Sequence, residues 1–597
     1  MGDMPFRPLI HLMYAAVLIT SCSGPVDTNN QLEKPNIIII LSDDQGWGDF
    51  SINGNTNLNT PNIDQLAADG ASFLNFYVEP VCSPTRAELL TGRYSARGGV
   101  YGTSAGGERL DLDEVTIAEI FKNAGYATAA YGKWHNGMQY PYHPNGRGFD
   151  DYYGFCSGHW GSYFDPMLEH NQEIVYGDGF VIDDFTSHGL DFIESNKEKP
   201  FLLYLPYNTP HAPMQVPDRW WNKFKDKELT MFADSGQQEE VDFTRAALAM
   251  CENIDWNVGR ILSKLEELQI EDNTIVLYFN DNGPNSWRWN GGMKGRKGST
   301  DEGGVRTPLF IKWPQNIPRG KQIEQVASVI DLLPTLADLA GIENNISSNQ
   351  PLDGVSLKTL LLKSGGAWED RLIFNSWGDR VSVRNQRFRL DHQGRLYDIE
   401  NDRGQTQEVS QEFPQIRQQL ETARLNFVNT VLTEIPEVDN RTFPIGHPDA
   451  KLTQVPSRDG VAHGNIQRSN RWPNCSFFTN WISLDDKITW DVEVLEEGDY
   501  QVILYYTCKE GDEGSEFNLR FGEDQLKGRI EEAHDPPLRG MENDRVERPE
   551  SYVKDFKPLN LGLMKLGKGS GTLTLQATTK PGETVMDVRL LLFERIR

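Results

Sequence analysis

Short apolar runs that end in polar residues recur through the first half of the chain. The continuous, β-branched run at 35–41 predicts a strand that is buried on both faces. Similar runs occupy 127–131, 201–205 and 274–279, and helical patterns such as 244–268 separate them. This alternation predicts an α/β fold with a mostly parallel sheet flanked by helices. Because polar residues follow all four runs, we expect a site beyond the carboxyl ends of the strands.

The pattern changes twice in the second half of the chain. A predicted helix at 326–340, short β-like runs between 372 and 399 and a helix at 413–432 indicate a small antiparallel subdomain packed on the core. Residues 439–473 are rich in Pro, Asn, Gly and His and predict a linker. From residue 474 onward, apolar and polar residues alternate, which predicts an all-β sandwich. This last domain is either a carbohydrate-binding module or a structural cap.

The first residues predict export. The apolar stretch 9–20 is too short to span a membrane and suits a signal peptide. The tetrapeptide that ends in Cys22 resembles a bacterial lipobox, whose cysteine is lipidated after cleavage. We therefore expect a lipoprotein, in the periplasm or at the cell surface, with a possible outer-membrane lipid anchor. The predicted parts of the chain are a signal peptide at 1–22, a tether at 23–34, a catalytic domain at 35–345, its C-terminal subdomain at 346–438, a linker at 439–473 and a β-sandwich accessory domain at 474–597.

Composition limits the partners. The formal net charge of -28 over 597 residues argues against binding to nucleic acid or to an anionic membrane. The cysteines at positions 156, 251, 475 and 508 show neither the spacing of a metal site nor a dense disulfide framework. Disulfides are permitted in an exported protein, but this sequence does not require them.

Oxygen-bearing side chains follow two of the predicted strands. Asp43 and Asp44 come after the first strand, and Asp281 and Asn282 come after the fourth. A set without His or Cys suits Ca²⁺ or Mg²⁺ better than zinc. Adjacent aspartates after a strand can also simply cap a turn, so this pattern alone leaves both readings open.

The stretch from Cys82 to Arg93 combines a cysteine with the start of a helix. Pro84 and the helix-forming residues behind it predict that Cys82 lies at the positive end of a helix dipole. Alternatively, Cys82 is a partly buried residue of a capping loop. However, Cys-x-Pro-Thr-Arg followed by Leu-Leu-Thr-Gly-Arg resembles the signature of the type I sulfatases, which belong to the alkaline phosphatase superfamily. In that family a maturation enzyme oxidises the cysteine to formylglycine, whose hydrate attacks sulfate esters.

Further blocks carry the same resemblance over most of the first 450 residues. The segment 43–49 is similar to the family pattern Asp-Asp-x-Gly-Trp-Gly-Asp. The resemblance implies one calcium ion, held by Asp43, Asp44, Asp281, Asn282 and the converted Cys82. Other matching blocks are Gly132-Lys133-Trp134-His135, Pro210-His211-Ala212-Pro213, 297–306 and 396–399. The chain departs from the family at Asn136-Gly137 and at 402–405, where the usual acidic turn is missing.

The resemblance also implies a role for each catalytic side chain. Arg86 would orient the hydrate or the metal ligands, because its charged fork suits oxyanions. Lys133 and Lys297 would bind sulfate oxygens, with Lys294 as the competing lysine. His211 would protonate the leaving oxygen, and His135 would be the base that later expels sulfate. This cationic cluster and the metal would reconcile an anionic substrate with the negative net charge.

Aromatic and polar loops flank these blocks and predict a sugar-binding pocket. From these loops, which include 155–163 and 285–289, we select His159, Trp160 and Arg288 as substrate-binding residues, although packing beneath long loops would explain each one equally well. The predicted function is removal of sulfate from a terminal residue of a sulfated glycan, with galactose or N-acetylgalactosamine suggested by the resemblance alone. The alternatives are a phosphodiesterase or phosphonate hydrolase of the same superfamily, and a glycan-binding protein with an inactive core.

Overall fold

In a computed structural model, which describes residues 1–2, 34–234, 236–342, 350–362 and 368–596, the four predicted strands lie side by side at the centre of a large sheet. The strands of this sheet are β1 (Asn36–Asp43), β2 (Ala71–Tyr77), β3 (Ala127–Lys133), β4 (Asp151–Phe155), β5 (Met167–His170), β6 (Glu173–Tyr176), β7 (Phe201–Pro210), β8 (Thr274–Asn280), β9 (Arg306–Lys312), β10 (Lys321–Ile323) and β11 (Ala327–Ser328). Their order is β10-β2-β9-β8-β1-β7-β3-β4-β5-β6, and β11 pairs with β2. Strands β8, β1, β7, β3 and β4 run parallel to one another, so the predicted α/β sheet is confirmed.

Helices cover both faces of the sheet. Strand β1 is apolar at every position from 37 to 41, so both of its faces must be shielded from water. Ile37, Ile39 and Leu41 pack into one core, and Ile38 and Ile40 pack into the other, as the two-residue period of a strand requires. The helices are α1 (Pro61–Ala68), α2 (Cys82–Thr91), α3 (Ile117–Asn123), α4 (Val181–Asn196), α5 (Asp218–Phe224), α6 (Val241–Glu267), α7 (Glu302–Val305), α8 (Leu332–Leu339), α9 (Lys358–Leu362) and α10 (Pro414–Thr430). Helices α2, α3 and α8 cover the first core, and α1, α4 and α6 cover the second.

The predicted helix at 326–340 is shorter in the structure. Its first residues form strand β11, and Ser328 and Asp331 then make a reciprocal capping box. This box caps a short 3₁₀ helix over Val329–Asp331, and helix α8 begins directly after it, at Leu332.

A second, smaller sheet follows the large one. It contains the antiparallel strands β12 (Ile373–Trp377), β13 (Arg380–Arg384), β14 (Phe388–Leu390) and β15 (Leu396–Asp398), with α10 packed against it. The predicted antiparallel subdomain is therefore present. Among the described residues, no helix is long and apolar enough to cross a membrane. The predicted signal peptide and Cys22 lie outside the described residues, apart from Met1 and Gly2.

The C-terminal region forms a sandwich of two sheets, as the period-two pattern predicts. Its strands are β16 (Phe443–Ile445), β17 (Leu452–Pro456), β18 (Val461–His463), β19 (Gln467–Arg468), β20 (Phe478–Thr479), β21 (Lys487–Val494), β22 (Gly498–Thr507), β23 (Glu516–Phe521), β24 (Asp524–Arg529), β25 (Lys557–Leu566), β26 (Gly569–Thr579) and β27 (Asp587–Arg595). One sheet has the order β16-β21-β26-β23-β24, and the other has the order β19-β20-β27-β22-β25. Trp481 and Trp490 are buried between them.

The segment 439–473 is not a linker, and that prediction is wrong. Strands β16 and β18 pair with β21, and β17 pairs with β27, so this segment belongs to both sheets of the sandwich. Its prolines and glycines separate very short strands, and the partners of those strands lie far away in the sequence. A local pattern of turn residues therefore predicted the breaks correctly but missed the strands between them.

Buried polar contacts join the sandwich to the α/β core. The side-chain amide of Gln139 donates to Asp459 over 3.0 Å and to the carbonyl of Gln454 over 2.9 Å. The guanidinium of Arg458 lies 3.4 Å from Glu108, and both side chains are almost fully buried. Residues Pro35–Arg597 accordingly form one compact unit.

Candidate active site

The polar residues that follow the four central strands converge at one edge of the sheet. The Lys133 ammonium at the end of β3 lies 2.5 Å from the Asp43 carboxylate at the end of β1. After β8, the Asp281 carboxylate accepts a hydrogen bond of 3.1 Å from the backbone N–H of Asp44. His211 directly follows β7, and its Nε2 lies 3.7 Å from the Asp44 carboxylate. The parallel strand order therefore brings together residues up to 238 positions apart.

Helix α2 places Cys82 in the middle of this cluster. Val81 is extended and Cys82 is the first helical residue, so the predicted helix start is confirmed. The thiol lies within 4.8 Å of carboxylate oxygens of Asp43 and Asp281. Burial raises the pKa of Cys82 to about 11, so an unmodified thiol here is protonated at neutral pH and is a weak nucleophile.

Arg86 ties the helix to the strand ends. Its guanidinium donates to the Asp281 carboxylate over 2.8 Å and to the carbonyl of Lys133 over 2.7 Å. The Thr85 hydroxyl also donates to the carbonyl of Asp281 over 2.7 Å. Since Arg86 is fully buried, these contacts fix Cys82 relative to β3 and β8.

Three buried oxygen atoms in the cluster have no hydrogen-bond partner among the described residues. They are Oδ1 of Asp43, Oδ2 of Asp44 and Oδ1 of Asn282. Burial and the nearby Asp43 carboxylate raise the pKa of Asp281 to about 7, which reflects the crowding of carboxylates. Unpaired carboxylate and amide oxygens are the ligand set that Ca²⁺ prefers, so these residues fit the metal that the sequence predicts.

Cations balance the three carboxylates of the cluster. Lys297 lies 2.6 Å from the Asp44 carboxylate, Lys133 contacts Asp43, and Arg86 contacts Asp281. Lys294 instead pairs with Asp301, 3.3 Å away, outside the cluster. The geometry therefore favours Lys297 over Lys294. When all three carboxylates are ionised, three positive and three negative side chains make the cluster neutral before any metal binds, so a divalent cation would make it attractive to an anion.

Two histidines have their tautomers set by backbone carbonyls. Nε2 of His135 donates to the carbonyl of Thr103 over 2.9 Å, which leaves Nδ1 buried and without a partner in the part of the chain that the structure describes. Nδ1 of His211 donates to the carbonyl of Ala212 over 2.7 Å, which leaves Nε2 for other contacts. Burial and the charge of Lys133 hold the pKa of His135 well below its usual range, so its ring is a neutral base.

The three predicted sugar-binding residues lie in different surroundings. The ring of His159 is 5.5 Å from that of His211, and neither of its nitrogens has a hydrogen-bond partner within the described ranges. The donors of Arg288 go to Asp49 over 2.6 Å, to Ser286 and to the carbonyl of Asp44, so Arg288 supports the turn after β1 and has little left for a sugar.

Trp160 stacks on Phe155, with ring centroids 5.1 Å apart, and Arg589 of the sandwich lies 5.8 Å over its ring. It lines a cleft between core and sandwich instead of the cluster around Cys82. The predictions for Arg288 and Trp160 are not supported by this geometry, because a loop sequence does not determine where its side chains point.

Some residues of the site were missed. Asn208 at the end of β7 is buried, and neither polar atom of its amide has a partner among the residues that the structure describes. Its position just before His211 was the available signal. Asn474 of the sandwich donates to the carbonyl of Thr103 over 3.2 Å, the same oxygen that binds His135. No sequence pattern connects residues 371 positions apart in this way.

A cavity of about 470 Å³ adjoins the cluster on the side of Lys297. Trp287 and Ser286, from the predicted substrate loop 285–289, are part of its wall. The volume suits one or two sugar residues, since ligand pockets commonly measure about 300–1,000 Å³. Lys297 therefore lies both at the carboxylate cluster and at the wall of a ligand-sized cavity.

The fold and the site define a hydrolase of the alkaline-phosphatase-like superfamily. Residues 35–342 match the family model described as Sulfatase, and residues 297–426 match the model described as N-sulphoglucosamine sulphohydrolase, C-terminal. The chain belongs to the sulfatase family and is a sulfuric ester hydrolase, as the sequence predicts.

Relatives support the same family. The N-acetylgalactosamine-6-sulfatase of Canis lupus familiaris is 33% identical over 403 residues, which cover 61% of this chain and 72% of the relative. The structure of Ps i-CgsB in complex with k-i-k-neocarrahexaose is 30% identical with a TM-score of 0.60, covering 67% of this chain and 94% of that one. The phosphonate monoester hydrolase of Agrobacterium radiobacter, 19% identical with a TM-score of 0.52, covers 67% of this chain and 96% of its own and shares the fold alone.

Proposed function

We propose that this sulfatase removes sulfate from a terminal residue of a sulfated glycan, with Cys82 converted to formylglycine and calcium at the strand ends. One observation carries the proposal. Cys82 lies at the start of α2 beside three unpartnered buried oxygens, and Lys133 and Lys297 frame the same cluster. A buried thiol with a raised pKa has little use as a nucleophile there, whereas a hydrated aldehyde offers two hydroxyl groups.

Asp43, Asp44, Asp281 and Asn282 would hold the calcium ion, together with an oxygen of the converted residue 82. When bound, the ion would lower the pKa of the attacking hydroxyl and attract the negative sulfate group. Lys133 and Lys297 would bind sulfate oxygens, because both ammonium groups already lie at the carboxylate cluster. Arg86 would keep residue 82 and Asp281 in register.

The two histidines would move protons at opposite stages. In the protonated ring, Nδ1–H stays hydrogen-bonded to the carbonyl of Ala212, and the proton on Nε2 of His211 would pass to the sugar oxygen as the bond from sulfur to that oxygen breaks. Burial and Lys297 lower the pKa of His211, and the negative charge of a bound sulfate ester opposes the effect of Lys297. His135 would take the proton whose loss restores the aldehyde and releases sulfate, since its Nδ1 is buried, free and neutral.

The carbohydrate substrate is supported by relatives and by the cavity. The canine relative is an N-acetylgalactosamine-6-sulfatase, and Ps i-CgsB has been solved with k-i-k-neocarrahexaose. The cavity beside Lys297 has the size of one or two sugar units, which favours action at a chain end. We propose sulfated galactose or N-acetylgalactosamine as the terminal residue.

We also propose export and maturation. A signal peptide at 1–22 with Cys22 in a lipobox would deliver the chain to the periplasm or cell surface as a lipoprotein. A formylglycine-generating enzyme would be its transient partner. Mass spectrometry of the mature N-terminus would test the anchor, because a free, unlipidated N-terminus other than Cys22 would contradict it.

Two measurements on one preparation test the catalytic proposal. Mass spectrometry of the tryptic peptide with Cys82 should show a loss of about 18 Da, the difference between thiol-methyl and aldehyde. Sulfated monosaccharides should be hydrolysed faster than a phosphate diester or a phosphonate, the substrates of the alternative hydrolase class. Cys82→Ala should abolish turnover of the sulfates. An active Cys82→Ala variant, or an unmodified Cys82 in active enzyme, would overturn the proposed nucleophile.

A further inference from the structure

The cavity beside Lys297 is strongly cationic although the chain is acidic. Among its described wall residues, five side chains are positive and two, Asp234 and Asp301, are negative. The positive ones are Arg288, Lys294, Arg296, Lys297 and Arg380. On a chain with a net charge of -28, such a local excess creates a positive field within one concave surface. A field of this kind attracts an anionic ligand.

Three of these cations already have carboxylate partners. Lys297 pairs with Asp44, Arg288 with Asp49, and Lys294 with Asp301. Their charges are therefore largely balanced inside the protein, and only Lys297 also reaches the catalytic cluster. These three residues do not explain the excess of positive charge.

Arg296 and Arg380 are different. Within the described ranges, neither guanidinium has a carboxylate within 4.0 Å. Arg296 donates to the carbonyl of Asn285, and its guanidinium lies 5.1 Å over the ring of Trp287, which holds it against the cavity wall. Arg380 lies at the tip of the hairpin between β12 and β13, and its side chain makes no hydrogen bond to the described residues. Two unpaired guanidinium groups from separate elements thus line one cavity.

We propose that Arg296 and Arg380 form a subsite for a second anionic group of the glycan, on the sugar that bears the scissile sulfate or on its neighbour. This inference rests on the proposed function, because it assumes that a sulfated sugar occupies the cavity beside Lys297. The planar fork of arginine fits the oxygens of a sulfate or a carboxylate with two parallel hydrogen bonds. The enzyme would therefore prefer polyanionic glycans to sugars with a single sulfate.

The test compares substrates that differ only in the second charge. One is a disaccharide with a single sulfate on its terminal residue, and the other is the same disaccharide with a second sulfate on the next sugar. A third substrate carries a uronic carboxylate in place of that second sulfate, which separates the two kinds of anion. Arg296→Gln and Arg380→Gln should each lower kcat/KM for a dianionic substrate by about 10- to 100-fold, as for a lost hydrogen bond to a charged group. On the monosulfated sugar they should remain within about threefold of the wild type.

Arg319→Gln is the matched control. It makes the same charge change at a side chain that is 74% exposed and pairs with Asp69, outside the cavity. Three results would overturn the subsite. The first is that Arg319→Gln loses the preference for the dianionic substrate. The others are that the cavity variants lose kcat/KM equally on mono- and dianionic substrates, or lose none on either dianionic substrate.

Binding without turnover separates the subsite from the proposed function. Calorimetric titration of the Cys82→Ala variant with the disulfated disaccharide needs neither formylglycine nor catalysis. We expect the double variant Cys82→Ala/Arg380→Gln to bind the disaccharide at least about tenfold more weakly than Cys82→Ala alone. That result would support the subsite even if the wild type hydrolysed no sulfate. Unchanged affinity in the double variant would refute the subsite even if sulfatase activity were confirmed.

Discussion

Replacement of His211 by alanine tests the proposed role of this residue as the acid that protonates the departing sugar oxygen. Nδ1 of His211 donates a hydrogen bond to the carbonyl of Ala212 over 2.7 Å, so only Nε2 is available to exchange a proton with the substrate. Nε2 lies 3.7 Å from Asp44, and the side chain is 14% exposed, which places it at the boundary between the carboxylate cluster and solvent. The substitution removes this proton donor but leaves the carboxylates and both lysines in place.

The expected size of the effect follows from the leaving group. A sugar oxygen leaves poorly without a proton, so the loss of a general acid should lower kcat by about 10²- to 10⁴-fold. This range corresponds to about 3–5 kcal/mol of transition-state free energy. A phenolate with strongly electron-withdrawing substituents needs little protonation, and its sulfate ester should lose no more than about tenfold. The missing hydrogen bond to Ala212 should cost only about 1 kcal/mol of stability, so the fold should survive.

A series of substituted phenyl sulfates separates proton donation from binding. In His211→Ala, a plot of log kcat against the pKa of the leaving phenol should become steeper than in the wild type. His159→Ala is the matched control, because its buried ring lies 5.5 Å from that of His211 but has no nitrogen hydrogen-bonded to a described residue. We expect that control to keep the wild-type slope. Parallel plots for His211→Ala and the wild type would remove His211 from the role of acid.

Two further predictions concern the metal and a buried charge. Asp43→Ala or Asn282→Ala should lose calcium and activity together while the protein stays soluble, since these residues lie at the strand ends. Elemental analysis that finds stoichiometric zinc, or full activity in a chelator, would contradict this expectation. Glu302→Gln should lower the free energy of unfolding by about 3–5 kcal/mol, because the fully buried Glu302 carboxylate is shared by three guanidiniums. These belong to Arg306, Arg384 and Arg389. Denaturant titration measures this loss of stability, with the exposed substitution Glu400→Gln as the control. Equal unfolding midpoints for the two variants would refute the prediction for Glu302.

The central sheet and the carboxylate cluster at its edge could be predicted because both follow from a local pattern. A run such as 36–41, apolar at five consecutive positions, has to be buried on both faces, and only a covered sheet provides that. Polar residues directly after such strands must then meet at one edge. Hence Asp43, Lys133, His211 and Asp281 could be grouped correctly although they are far apart in the sequence.

Loop residues were harder, because their direction depends on partners that a local pattern does not reveal. Arg288 belongs to the aromatic, polar loop expected to frame a sugar, yet its guanidinium donates hydrogen bonds to the Asp49 carboxylate. In the same loop, Trp287 faces the cavity and carries Arg296 over its ring. Arg288 and Trp287 both line this cavity, so the substrate role of the loop stays a prediction, and a local pattern does not show which of its side chains has donors left for a sugar.

The segment 439–473 matters for the site because it is part of the sandwich and not a linker. A linker would let the sandwich move independently of the core, but the strands within this segment join it to both sheets of the sandwich. The loop after β19 then brings Asn474 to the carbonyl of Thr103, and that carbonyl sets the tautomer of His135. The Ser157 hydroxyl also donates to the carbonyl of Asn474. The next residue, Gly158, packs closely against the ring of His135. The sandwich therefore supports the surroundings of the proposed base, a role that follows from pairing between distant strands and not from the composition of either segment.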